Sequence, residues 1–205
     1  ERPDATLVHE GLVPGQGGAS GLSTRPRLHD HEAEDGLPGL VSLQGVKYTT
    51  ARGVAEQVVD VVSAKLDVSM PSCRTGTTRL PHWDFGTLSS EVERAAAEAG
   101  GLLDAASLAA LVATHGTAWR AVVERCRRDP ALASRVAPHV PFPAAAVVHA
   151  IEDEMACTLA DVVIRRLPVG GAAYPGDSVV SACGAIMARA CGWDVARLAA
   201  QHLPA

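Results

Sequence analysis

Between Gly45 and Thr50 the segment "GLVSLQGVKYTTARGVAEQVVD" (39–60) gathers a bare stretch of backbone, an amine (Lys47) and two hydroxyls (Thr49, Thr50). Those groups suit an anion or an electron-rich ring. Leu40 to Leu43 is a short apolar run bounded by Gly39 and Gly45 and reads as a strand. From Thr50 onward Ala51, Val54, Val58, Val61 and Val62 recur at helical spacing. A strand that runs straight into a helix places unpaired N–H groups, and the positive end of the helix dipole, at one point in space. An anion or a polarisable ring is favoured there. Lys47 would add a full positive charge, and Arg25 another if the "STRPR" stretch (23–27) lies alongside. The same residues admit a plainer reading, in which Lys47 is solvated and Thr49 or Thr50 only caps the helix.

Two other stretches invite chemistry. "GQGGASG" (15–21) resembles a phosphate cradle, but such a cradle needs a preceding strand and a following helix, and "LSTRPR" follows instead. A surface loop is expected. "HDHE" (29–32) places His29 and His31 two residues apart with Glu32 beside them, yet no second cluster at motif spacing supplies further ligands. It is expected to be a solvated loop, and no metal site is expected.

The elements that must position these residues follow from composition and punctuation. The chain has 205 residues, 47% of them hydrophobic and only 3% aromatic, which favours closely packed helices over an aromatic-rich sandwich. Its net charge is −5 with both signs mixed, and no basic run is interleaved with aromatics, so nucleic acid is excluded as a partner. No apolar run approaches the roughly 18 residues that span a bilayer, and the charged first residues are unlike a signal peptide, so a cytoplasmic location is expected. Five cysteines without a C-x-x-C pair suggest reduced packing thiols.

Residues 1–38 read as loops with brief extended pieces at Ala5 to Val8 and Arg27 to His31. Residues 66–87 lack periodicity and read as a connector. Beyond it the signals are helical: a Ser90–Glu93 capping box, a stop at Gly100-Gly101, a cap at Asp104, a stop at Gly116 and a cap at Thr117. Val148, Ile151, Met155, Leu159 and Val162 predict one amphipathic helix of about six turns. Asp177 starts another, and Gly192 separates it from a last helix capped by Asp194. The expected class is mainly α. A strand-and-helix piece of an α/β domain (1–65) and the connector (66–87) lead to an all-helical C-terminal domain (88–205).

The lysine segment resembles the "GL-(hydrophobic)-GGK-x-TTYR-x-x-AE" motif near the end of the flavin domain in FAD-dependent glycerol-3-phosphate dehydrogenases and glycerophosphate oxidases. The likeness continues through "SCRTGTTRLP" (72–81), "HGTAWRAVV" (115–123), "PFPAAAVVHAIEDEMACTLADVVIRR" (141–166) and "CGWDVARLAAQ" (191–201). It covers the chain from about residue 10, in the family's order. In that family FAD takes a hydride from sn-glycerol 3-phosphate, giving dihydroxyacetone phosphate, and the electrons pass to quinone or oxygen. The family's FAD fingerprint lies several hundred residues before the lysine segment. The resemblance therefore implies a C-terminal portion, inactive alone, that works with an N-terminal FAD domain.

By motif position the resemblance assigns Gly45, Lys47, Thr49 and Thr50 to the flavin, and Arg25 and Lys47 to a polyol phosphate substrate. Lys47 carries the catalytic role. Arg52 takes the place of the "TTYR" arginine, where pairing within the protein is as expected as ligand contact. Three positions depart from the pattern: Val13 stands where a second phosphate-binding arginine is usual, Val46 replaces the second glycine of "GGK", and Ala51 replaces the tyrosine of "TTYR". They motivate an alternative, a helical interaction module that has lost catalysis. The resemblance also allows peripheral membrane contact or a homo-oligomer.

Overall fold

The computed structural model describes residues 12–15, 21–45 and 47–201. The predicted extended piece at Ala5 to Val8, the centre of the glycine-rich loop and Val46 lie outside them. The described residues fall into two compact units, one ending at Arg79 and the other beginning at Leu80.

In the first unit β1 (Arg27–Asp30) and β2 (Val41–Gln44) pair antiparallel, with Arg27 opposite Gln44 and Asp30 opposite Val41. Between them α1 (His31–Asp35) is capped by the Asp30 carboxylate, which accepts the Glu32 N–H, and stops at Gly36 in the left-handed conformation. The "HDHE" stretch is thus a strand end and a helix start, which corrects the expected loop. The cause is a local network. Nitrogens of both His29 and His31 lie within hydrogen-bond distance of Asp35 Oδ2 (2.9 and 2.6 Å), and His31 Nε2 lies 2.9 Å from Ser42 Oγ on β2. Farther back, Gly15 and Leu22 form an isolated antiparallel bridge across the glycine-rich loop.

After β2 a 3-10 turn (Tyr48–Thr50) leads into α2 (Ala51–Lys65). Lys65 in the last turn returns to Asp30 at 2.9 Å and to Glu32, tying α2 to the start of α1.

The second unit is a helical assembly: α3 (Leu88–Ala99), α4 (Ala105–His115), α5 (Trp119–Arg128), α6 (Ala144–Glu152), α7 (Asp177–Cys191) and α8 (Val195–Ala199). Helices α3 and α4, α4 and α5, α5 and α6, and α6 and α7 pack in pairs. A small antiparallel hairpin, β3 (Arg135–Ala137) with β4 (Val140–Pro143), sits among them, so "PFP" belongs to a strand. The class is mainly α, as expected. Trp119, Leu111, Val122, Val147, Val162 and Met187 anchor one continuous core.

Three predicted boundaries are corrected. Helix α3 starts earlier, under a capping box formed by Thr87 and Ser90 rather than by Ser90 and Glu93. Thr117 lies in a 3-10 turn (Gly116–Ala118), and α5 begins at Trp119. The predicted six-turn helix is two pieces. Helix α6 ends at Glu152, Met155 takes a positive φ of 59°, and a π-helical segment runs over Asp161–Arg166. Thr158 and Asp161 cap the second piece reciprocally: Thr158 Oγ1 accepts the Asp161 N–H at 3.1 Å, and Asp161 Oδ2 accepts the Thr158 N–H at 2.8 Å. That local cap outweighs the apolar period that spans the break.

Gly116 is required by space and by dihedral angle. Its φ is +55°, and a Cβ there would lie 2.0 Å from the carbonyl oxygen of His82, which accepts the Thr117 N–H at 2.8 Å.

Candidate functional site

The turn between β2 and α2 carries the predicted site. Lys47 is extended (φ −148°, ψ 132°), and the following 3-10 turn folds back on it. The Thr50 hydroxyl donates to the Lys47 carbonyl at 3.1 Å, and the Thr50 N–H reaches the same oxygen at 3.4 Å. Thr50 therefore stands at the cap position of α2 without a side-chain cap bond, and the predicted threonine cap is corrected. The 3-10 turn has already begun the helical ladder, so the amides of Tyr48 and Thr49 stand at its head.

A groove of about 440 Å³ opens at this turn, lined by Val13, Leu43, Gly45, Lys47, Thr50 and Val54 among others. Of the predicted residues, Gly45, Lys47 and Thr50 share its wall. Thr49 and Arg25 are exposed and are not part of that lining, although Pro26, next to Arg25, is. Val13, the position matched to a second phosphate arginine, lines the same groove as Lys47.

Its electrostatics rest on one cation. Among the described residues Lys47 has no ion-pair partner, whereas Lys65 is held by two carboxylates. The rest of the lining is mostly apolar, with Val13, Pro26, Leu43 and Val54 beside Tyr48 and Thr50, which suits the edge of a flat ring against a single ammonium. A Cβ on Gly45 would meet no atom within 4 Å, so nothing among the described residues demands glycine there. Tyr48, next to Lys47, is 99% exposed.

Arg52 is engaged within the protein. It bonds Glu56 at 2.9 Å one turn along α2 and Thr75 Oγ1 at 3.3 Å, at the edge of a second cleft of about 460 Å³ that also includes Cys73 and Met70.

Sequence reasoning missed one constellation in the helical unit. His115, His149 and Glu154 converge from α4, α6 and the turn after α6. Both histidines sit in apolar helical stretches far apart in sequence, and only their common presence on core-facing helices hints at a meeting.

Comparison with known proteins places the chain. A family model described as the C-terminal domain of alpha-glycerophosphate oxidase matches residues 73–198, and the chain belongs to that family. Among curated proteins it is 35% identical over 199 residues to a glycerol-3-phosphate dehydrogenase of Synechocystis sp., an alignment covering 94% of this chain and 35% of that protein. It is 28% identical over 207 residues to a probable mitochondrial glycerol-3-phosphate dehydrogenase of Caenorhabditis elegans, covering 98% of this chain and 28% of the relative. A stretch of 54 residues is 48% identical to the anaerobic glycerol-3-phosphate dehydrogenase subunit A1 of Haloferax volcanii, covering 26% of this chain and 9% of that protein. The chain thus spans about a third of the length of its first two relatives. Among the described residues no helix is long and apolar enough to cross a membrane.

Proposed function

We propose that the unit ending at Arg79 forms one wall of the active site of an FAD-dependent oxidoreductase acting on sn-glycerol 3-phosphate or a related polyol phosphate. The observation that carries this reading is Lys47: an ammonium without an ion-pair partner among the described residues, on the wall of an apolar groove at the head of α2. FAD would supply hydride acceptance from the carbinol carbon, giving dihydroxyacetone phosphate. The chain's own residues then have defined tasks. Lys47 and the leading amides of the 3-10 turn stabilise negative charge that develops at the groove. Gly45 keeps the backbone bare beside it. Thr50 fixes the Lys47 carbonyl and so the direction in which the lysine leaves the chain. Arg25 supplies a guanidinium fork for phosphate, and Thr49 a hydroxyl at the turn.

The unit's packing supports a further part of the reading. Among its described residues Val54, at 8% exposure, is the only buried hydrophobic side chain, while Leu12, Val13, Leu22, Leu43, Val59 and Met70 are exposed. A face of that kind is completed by an N-terminal FAD domain, without which this chain binds no flavin tightly and turns over no substrate. Quinone or oxygen would take the electrons onward, from a cytoplasmic or membrane-peripheral position.

Single-turnover flavin reduction in the complete enzyme tests the lysine. Lys47→Ala is expected to slow reduction by about a hundredfold, the scale for removing one preorganised charge-stabilising group. Unchanged reduction would remove Lys47 from the chemistry. Tight FAD binding and turnover by the 205 residues alone would contradict the dependence on a partner domain.

One observation favours a second reading, a non-catalytic interaction module. Val13, not an arginine, lines the groove. Failure of the complete enzyme to reduce flavin with any polyol phosphate would select it.

A further inference from the structure

We propose that His115, His149 and Glu154 form a binding site for one Zn(II) ion in the helical unit. His115 closes α4, His149 lies on α6, and Glu154 lies in the turn just beyond it. The two imidazoles meet edge to face with ring centroids 5.0 Å apart. The Glu154 carboxylate serves both: its Oε1 lies 3.2 Å from His115 Nδ1 and 3.8 Å from His149 Nε2. Each residue offers a ligand atom within 4.8 Å of the other two. Ligand atoms held about 2.0–2.2 Å from a tetrahedral zinc are separated from one another by about 3.3–3.5 Å, so the two carboxylate contacts are near that spacing and the side chains must draw together to close on an ion.

Burial separates this cluster from a chance surface group. His115 and His149 are each 5% exposed. His115 Nε2, His149 Nδ1 and Glu154 Oε2, which are not the atoms of the 3.2 and 3.8 Å contacts, are buried without a hydrogen bond, so each of the three groups keeps a second polar atom that is unsatisfied among the described residues. His149 Nδ1 does lie 2.9 Å from Asp153 Oδ2, off the hydrogen-bond direction. A carboxylate behind a ligating imidazole is the usual support of a zinc histidine, and a small ring rotation would bring it into line. Two cations border the cluster: Arg166 Nε donates to the Glu154 backbone carbonyl at 2.9 Å, and Arg125 is engaged by Glu152 and Asp153, which limits its repulsion of an ion.

The space around the cluster fits as well. A cleft of about 270 Å³, lined by His82, Trp83 and Ala118 among others, opens onto all three residues and has room for a water as fourth ligand. Imidazole and carboxylate donors in this ratio select a transition metal such as zinc over magnesium or calcium.

The other histidine pair is a useful contrast. His31 spends Nδ1 on Asp35 and Nε2 on Ser42, while His29 spends Nε2 on Asp35 and sets Nδ1 3.0 Å from Glu34. Its nitrogens are committed to holding α1 against the hairpin, so no ion is assigned there.

Titration of the metal-stripped full chain with Zn(II), followed by calorimetry, tests the proposal, with Co(II) as an optical reporter. One equivalent should bind and give the visible bands of tetrahedral cobalt, without a thiolate-to-cobalt band. Glu154→Gln keeps the side-chain shape, and His149→Asn keeps a polar group toward Asp153. Each should weaken binding at least tenfold, with melting in EDTA showing that the variant is folded. The His29→Ala/His31→Ala double variant should bind as the parent does. Absence of Zn(II) binding by the parent would overturn the proposal. So would unchanged affinity in a folded Glu154→Gln chain, loss confined to the His29/His31 variant, or a thiolate band in the cobalt spectrum of the parent.

Discussion

The two units solve the problem of stability differently. From Leu80 onward, apolar side chains from α3 to α7, the π-helical segment and a hairpin close on one another, with Trp119 at 1% exposure and Val122, Val147, Val162 and Val163 at 0%. In the unit that ends at Arg79, Val54, at 8% exposure, is the most buried described hydrophobic residue, and ion pairs and histidine bonds at the hairpin supply most of the visible order. The first arrangement can stand on burial, which contributes roughly 25 cal/mol per Å² of apolar area. The second has apolar surface still facing outward. The contrast is one of packing: the helical unit has a continuous buried core, whereas the groove that Lys47 lines belongs to the unit with little buried apolar surface among its described residues.

That contrast can be broken by substitution. Trp119→Ala should cost about 3 to 5 kcal/mol, read by denaturant unfolding, because it empties a large buried site and removes one of the donors to the Glu91 carboxylate. A loss below about 1 kcal/mol would mean that the helical core is not the stabilising element.

Glu91→Ala should cost about 3 kcal/mol. The carboxylate is 0% exposed, accepts the Trp119 indole N–H at 2.9 Å, and pairs with Arg120 and Arg94 at 3.1 Å each. Removing it leaves a buried donor and two guanidinium groups with fewer partners. Gly116→Ala should destabilise by about 1 to 3 kcal/mol through strain at positive φ, and by more if the His82 carbonyl cannot move. Thermal melting checks both.

A smaller effect comes from pH. The Arg135 guanidinium, bonded at 2.6 and 3.0 Å, holds the Asp104 carboxyl well below its ordinary 3.8, with the Ser107 N–H assisting at 3.0 Å. A depressed folded value means that this contribution is present above the unfolded value, near pH 4, and is lost as pH falls toward the folded one. Because the group is half exposed, it should amount to less than about 1 kcal/mol. Asp104→Asn should flatten the acid side of the stability curve by that amount. At the bottom of the scale, Tyr48→Ala should change stability by less than about 0.5 kcal/mol, since that ring packs on little. A large loss there would show that the first unit has a core after all.

What could be read from the sequence was what is local. Asp104, Asp194, Gly100 and Gly192 announce helix ends because a cap needs only its own neighbours, and each does so in the structure. The glycine-lysine-threonine turn was also readable as a strand-to-helix turn, but its local pattern left a ligand role and a plain helix start both open; the family resemblance supplied the role, and Gly45, Lys47 and Thr50 line a groove. The break at Met155 was hidden by an apolar period that runs through it, although Thr158 and Asp161 hold a capping pair that marks the restart. The β3–β4 hairpin was hidden among prolines that read as a helix entry. The meeting of His115 with His149 depends on how α4 and α6 are carried by the core, and no local pattern encodes that.

Lys47 and Lys65 are the only lysines of the sequence, so amine labelling followed by mass spectrometry reports on the central residue against a built-in control. In the isolated chain Lys47 should react faster than Lys65, which two carboxylates hold. In the complete FAD-loaded enzyme with glycerol phosphate bound, Lys47 should be protected at least tenfold while Lys65 is unaltered. Equal reactivity of Lys47 in both preparations would mean that the ammonium faces neither cofactor nor substrate.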